Sequence, residues 1–163
     1  MIPRFHALAH RFASLALMSL GAAAPTALHA QAAATPPNSS IISKADQGRI
    51  LGSPAAPVWL LVVSDFQCPF CRQWHREVWP QVRKEFVATG KVRVAFVNFP
   101  LGIHPNAIPA AEYAMCASSE GKFWEYADRA FEAQDQWKGL KNATSVFVDI
   151  LGKLKLPAGI ETS

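Results

Sequence analysis

The apolar residues of this chain change their period along its length, and each change marks an element. From Val58 the chain reads "VWLLVVSDF", a continuous β-branched and aromatic run without alternation, the pattern of a strand buried on both faces. A helix start follows directly, with Pro69 near the first helical position, where its missing N–H leaves no bond unmade. Phe70, Trp74, Val78, Val82 and Phe86 then recur every four residues with Trp79 beside them, which predicts one apolar helix face. Pro80 should kink that helix and Gly90 should end it. "KVRVAFVNFP" alternates Lys91 and Arg93 with Val92 and Val94 before turning fully apolar, and reads as a second strand. Strand, helix and strand in this order predict a parallel βαβ unit with a right-handed crossover.

The remainder has helical periods. "AIPAAEYAMCASSEG" is closed by Gly121, "KFWEYADRAFEAQDQW" sets Phe123, Trp124, Ala127 and Phe131 on one stripe, and "NATSVFVDILGKL" can start on Asn142 as its N-cap. Upstream of the first strand, "RILGSPAAP" offers a short extended piece and a turn. Residues 31–45, "QAAATPPNSSIISKA", have no amphipathic period and read as a flexible linker, so that the ordered domain should run over residues 46–163.

Composition changes this picture at the N-terminus. The 163 residues are 50% hydrophobic, enough for one domain with a core. Residues 1–30 stand apart: Arg4 and Arg11 precede the short apolar stretch "FASLALMSLGAAA", and small residues follow at "ALHAQAAA". The stretch is shorter than the ~20 residues a membrane span needs, and the whole reads as a secretory signal peptide cleaved after Ala30 or Ala32. Its removal lowers the formal charge from +4 to +2. No basic run with interleaved aromatics remains, so a nucleic-acid surface is not expected. The expected location is the periplasm, where disulfides persist.

Export bears on the three cysteines. Cys68 and Cys71 in "SDFQCPFCRQWH" close too small a loop to be a useful staple, so a bridge between them would serve chemistry. The N-terminus of a helix carries unpaired N–H groups and the positive end of the helix dipole, which favour a thiolate at Cys68. Cys71, one turn on and facing inward, suits a thiol that resolves a mixed disulfide. Pro69 and Phe70 limit backbone freedom between them and bring no charge; Arg72 and His75 either add positive potential or are solvated helix residues. Half of a zinc site is the competing reading, but only Cys116, His75 and His104 could complete it, and two ordinary core cysteines are a third. Cys116, in "EYAMCAS", reads as a small buried hydrophobe, and Trp74 and Trp124 as core aromatics. Neither metal nor cofactor enters the favoured reading.

Three segments, "ILGSPAAPVWLLVVSDFQCPFC", "NFPLGIHPNA" and "CASSEGKFWEYADRAFEAQ", resemble the DsbA-like branch of the thioredoxin-fold thiol:disulfide oxidoreductases. The resemblance implies an α/β thioredoxin-like fold with a helical insertion at about residues 104–156, with Cys68 attacking, Cys71 resolving, and Pro69 and Phe70 tuning the potential. Oxidising relatives carry a histidine where Phe70 stands; Phe70 cannot donate a hydrogen bond, so a less extreme oxidant is expected. Relatives also continue into a strand pair, opened by a cis-proline, and a final helix. This chain reads "LPAGIETS" instead, so the domain is expected to be C-terminally incomplete, with "VWLLVV" left as an apolar edge. The implied partners are protein substrates with thiols or disulfides and a redox partner that resets the cysteines. The alternatives are a reductase or isomerase on the same fold, a metal-binding or chaperone module without turnover, and a chain too short to fold stably.

Overall fold

The computed structural model describes residues 39–157 together with Gly159 and Ile160, so the proposed signal peptide lies outside the described residues. Their order is α1 (Ser39–Gly48), β1 (Ile50–Leu51), β2 (Val58–Ser64), α2 (Pro69–Glu77), α3 (Trp79–Val82), a π-helical turn (Arg83–Val87), β3 (Val92–Asn98), α4 (Ala107–Ser119), α5 (Phe123–Glu132), α6 (Gln134–Trp137) and α7 (Thr144–Lys153). The three strands form one sheet in the order β1-β3-β2. β2 and β3 run parallel, Val58 opposite Val92 through Ser64 opposite Asn98, and β1 pairs antiparallel with β3. The predicted βαβ unit is therefore present, on a thioredoxin-like frame with four helices following β3. No helix among the described residues is long and apolar enough to cross a membrane.

Residues 39–45 are not a flexible linker, because they lie within α1. The helix is fixed by what it packs on: Ala45 is buried, the Ser118 hydroxyl at the end of α4 donates to the Ala45 carbonyl, and Gly48 leaves room for the Ser118 carbonyl that a Cβ would strike. Residues 31–38 of the expected linker lie outside the described residues.

The crossover helix breaks where Pro80 requires it, between Glu77 and Trp79, and then widens into the π turn, in which the Ala88 N–H donates to the Arg83 carbonyl. The expected stripe is corrected. Phe70, Val78 and Phe86 are exposed, and the buried positions of the crossover are His75, Trp79 and Val87, with Trp74 and Val82 packed beside them. A four-residue step advances about 40° around a helix beyond a full turn, so four such steps cannot hold one face, and the π turn shifts the phase again to bring Val87 inward.

The core sits between one sheet face and the helices. Val62, Val94 and Phe96 meet Phe66, Trp79, Phe123, Trp124 and Phe131. Trp79 stacks on Trp124 with ring centroids 4.7 Å apart, and Phe66 stacks on Phe96 at 5.3 Å. The predicted α5 stripe of Phe123, Trp124, Ala127 and Phe131 is wholly buried. Gly121, at φ 69°, lets α4 turn back with the Lys122 N–H on the Ala117 carbonyl. The N-cap of α7 is Ala143 rather than the expected Asn142, whose side chain sits one residue further out and accepts the Thr144 N–H at 2.8 Å in a local turn. Cys116 is half-buried rather than fully buried.

The other sheet face departs from expectation. Trp59, Leu61 and Val63 of β2 are exposed, Leu61 at 62%, so the run is not buried on both faces. β2 is the sheet edge, and no helix among the described residues covers this side; Arg93 of β3 lies over the Trp59 ring at 4.7 Å. An open apolar edge recruits other chains. Leu61→Lys should shift the purified chain from associated species toward monomer in sedimentation velocity without changing its circular dichroism, whereas Trp79→Ala should cost about 3–5 kcal/mol in urea unfolding.

Candidate functional site

The site is the turn that carries the chain from β2 into α2. Phe66, 1% exposed, plugs this turn into the aromatic core, with Phe131 at 5.0 Å and Tyr126 edge-on at 6.0 Å. On either side of that plug are two buried polar residues. Asp65 accepts the Gln67 N–H on one carboxylate oxygen at 2.7 Å, closing a local turn, and on the other accepts the Leu101 N–H at 2.8 Å and meets His104 Nδ1 at 2.7 Å. Gln67 accepts the Asn106 N–H at 2.7 Å and donates to the Lys138 carbonyl at 2.8 Å. The turn is thereby bolted both to the loop after β3 and to the segment after α6.

Cys68 is the N-cap of α2, in extended geometry with φ −69° and ψ 124°, and Pro69 is the first helical residue. No side chain caps this end, so the first-turn N–H groups of α2 face the Cys68 position without a protein acceptor from its cap side chain. Cys71 follows one turn on. Its sulfur accepts the Asp65 backbone N–H at 3.5 Å. Burial pushes the Cys71 thiol above the ordinary range, against the opposing pull of the Asp65 N–H and the Ser64 hydroxyl; hydrogen bonding with Cys68 raises it further. The two sulfurs are thus within reach of each other and both cysteines are half-buried free thiols.

Around the pair, Phe70 projects into solvent at 77% exposure, and a groove between β2 and α2 is lined by Leu60, Val62, Ser64, Phe70, Cys71 and Trp74. Arg72 and His75, left open by the sequence, are both held. Arg72 pairs with Asp135 at 2.6 Å, and His75, buried at 6% exposure, meets Asp128 at 2.7 Å. Arg72 and Lys138 together hold the Asp135 carboxyl down to about 2, Lys138 contributing most. His104 is committed to Asp65 and Cys116 sits on α4, so the side chains available to complete a zinc site are engaged elsewhere in the fold.

The sequence placed Cys68, Pro69, Phe70 and Cys71 together, and the structure does so too. It did not single out Asp65, Gln67, Asn106 or Gln134, which hold the turn. Asp65 sits at the polar end of an apolar strand, three residues before a cysteine, and that was the one available signal; Gln134 and Asn106 are brought in by the tertiary fold.

A dithiol at the N-terminus of the helix that follows a parallel strand is the arrangement of thioredoxin-fold redox proteins. The comparisons agree: a family model described as "Thioredoxin" matches residues 44–156, and the chain belongs to that family. The chain is 35% identical over 85 residues to the probable disulfide bond formation protein D of Bacillus anthracis, a match covering 52% of this chain and 39% of that protein. It is 37% identical over 92 residues to Na(+)/H(+) antiporter NhaA 3 of Salinispora tropica, covering 56% of this chain and 14% of the antiporter. The chain thus spans well under half the length of these curated relatives. Among solved structures it superposes on Wolbachia pipientis alpha-DsbA1 with a TM-score of 0.62 at 23% identity, covering 70% of this chain and 57% of that one. Chlamydia trachomatis DsbA superposes with a TM-score of 0.52 at 24% identity, over 64% of this chain and 56% of that one. These likenesses establish the fold as that of DsbA structures.

The raised Cys71 thiol couples the stability of the fold to pH. Its folded form holds the proton to higher pH than an unfolded thiol, so Cys71 contributes stability below the ordinary thiol value that is lost as pH climbs through its folded value. In Cys68→Ser, alkylation of Cys71 by iodoacetamide should still be rising at pH values where an ordinary thiol, at about 8.5, has levelled off.

Proposed function

We propose that the chain is an exported thiol:disulfide oxidoreductase that acts on protein thiols, with Cys68 as the exchanging and Cys71 as the resolving cysteine. The observation that carries this reading is the pair itself: a thiol at the N-cap of α2 with a second, proton-retaining thiol one turn on and within its reach. The name of the Bacillus anthracis relative and the DsbA fold support it. The signal-like N-terminus supports an extracytoplasmic location, the periplasm.

In the oxidising direction the Cys68–Cys71 disulfide is attacked at the Cys68 sulfur by a substrate thiolate. A substrate–Cys68 mixed disulfide forms as the sulfur–sulfur bond of the pair breaks, and Cys71 leaves as a thiolate and takes up a proton. A second substrate thiolate then attacks the substrate sulfur of the mixed disulfide and releases Cys68. The substrate has lost two electrons and two protons, the pair has gained two electrons, and a redox partner must remove them before the next cycle.

Two features favour this direction. The positive end of α2 stabilises the charge that Cys68 carries when released. Cys71 holds its proton, which slows its attack on the mixed disulfide and so slows the return of unoxidised substrate. Pro69 and Phe70 tune the balance: Pro69 fixes the first turn, and Phe70 presents an apolar ring with no donor for the thiolate, consistent with an oxidant short of the extreme.

The test is twofold. Poised against glutathione, the pair should show a two-electron transition clearly above the thioredoxin value of about −270 mV; a transition at that value would make it a reductase. Cys71→Ala should trap a mixed disulfide with a reduced, cysteine-containing peptide in the presence of oxidised glutathione, and Cys68→Ala should trap none. An adduct that persists in Cys68→Ala would refute the assignment of roles.

A further inference from the structure

Three positions of α2 and its cap lie on one side of the helix, and each is met from α5 or α6. Gln134 Nε2 donates to the Cys68 carbonyl at 3.1 Å, the Asp135 carboxylate meets Arg72 at 2.6 Å, and the Asp128 carboxylate meets His75 at 2.7 Å. The spacing of 68, 72 and 75 is the three-to-four residue step that aligns side chains along a helix. The two ion pairs have carboxylates about half exposed to solvent. The Gln134 contact is of another kind.

Gln134 is 0% exposed, and its amide nitrogen is shared between the Phe66 carbonyl at 2.8 Å and the Cys68 carbonyl at 3.1 Å. Its Oε1 is buried without a hydrogen-bond partner. Turning the amide over would set that oxygen against two carbonyl oxygens, so the observed orientation is the one the partners dictate. A buried acceptor left bare costs free energy, and an apolar side chain would avoid that cost. What an apolar side chain cannot do is donate to the two carbonyls that flank the nucleophile's turn.

We propose that Gln134 is a positioning residue for Cys68. It holds the Phe66 carbonyl and adds a second donor to the Cys68 carbonyl, which also accepts the Arg72 N–H at 3.1 Å, and so keeps the negative ends of both peptide groups on the helical layer. The Cys68 sulfur is then left to the N–H groups at the start of α2, and the helical layer thereby sets the redox balance of the pair. This inference rests on the proposed redox function.

The experiment compares Gln134→Met, which keeps the length and loses the donor, and Gln134→Glu, which keeps the shape and donates one O–H only when protonated, with Phe147→Leu. The last loosens the core at α7, where the buried Phe147 ring packs on Tyr113 and Trp137, and controls for lost stability. Two readouts are taken in the full chain: the rate at which iodoacetamide alkylates Cys68 at neutral pH, and the potential of the pair against glutathione.

Gln134→Met should react about threefold more slowly, and its potential should fall by about 15 mV, that factor converted for a two-electron couple. Gln134→Glu should fall between it and the wild type, and Phe147→Leu should match the wild type in both readouts. If both Gln134 variants lose stability as Phe147→Leu does yet keep the wild-type rate and potential, Gln134 is structural only and the inference is overturned. Should Gln134→Met not fold, Gln134→Glu against the wild type decides alone. A wild-type chain with no two-electron transition would fail at the redox reading, an outcome distinct from unchanged variants on a working pair.

Discussion

Everything at the cysteines depends on one buried carboxylate being satisfied. Asp65 is 3% exposed, and a charge in that position is tolerable only with donors on it. It finds them in the Gln67 N–H, the Leu101 N–H and His104. Gln67 belongs to the turn into α2, and Leu101 and His104 to the loop after β3, so meeting the demand of one side chain ties the exit of β2 to both at once. Its own backbone N–H then lies on the Cys71 sulfur. Alternating Phe66 into the aromatic core and Asp65 and Gln67 into the polar layer gives this turn no freedom to rotate. A helix start that must present a thiol at its N-cap is held by apolar packing on one side and hydrogen bonds on the other.

The sequence made the βαβ frame legible because the frame is written in local signals: an apolar strand, a proline at a helix start, a second strand of β-branched residues. The Cys68–Cys71 pair was legible for the same reason, since its chemistry follows from two residues and a helix end. Three things were not. α1 is held by Ser118 and the end of α4, contacts that no period within residues 39–48 announces. The crossover stripe was misread because a four-residue repeat drifts around the helix and because the π turn at Arg83–Val87 changes the count of residues per turn. The exposed face of β2 was misread because a run of apolar residues states what could be buried, and only the neighbours decide what is.

The polar residues that hold the site share one property. Asp65, Gln67, Asn106, Gln134 and His104 are each ordinary surface residue types, and apart from the local Asp65–Gln67 turn their contacts join distant parts of the chain. Gln67 reaches Lys138 across 71 positions, and Gln134 reaches Phe66 across 68. Long-range pairing of this kind is decided by the fold and leaves no trace in any short window of sequence.

Those separations also impose an order in time. A chain that enters its compartment N-terminus first presents Cys68 before the α6 segment that grips its turn. During that interval the two thiols exist on a nascent chain without the polar layer that arranges them. Cys71 then lacks the burial that keeps its proton, and both sulfurs are open to whatever oxidant the surroundings hold. The acquisition of controlled reactivity is thus a late folding event, and oxidation of these cysteines before it belongs to the unfolded chain rather than to the protein.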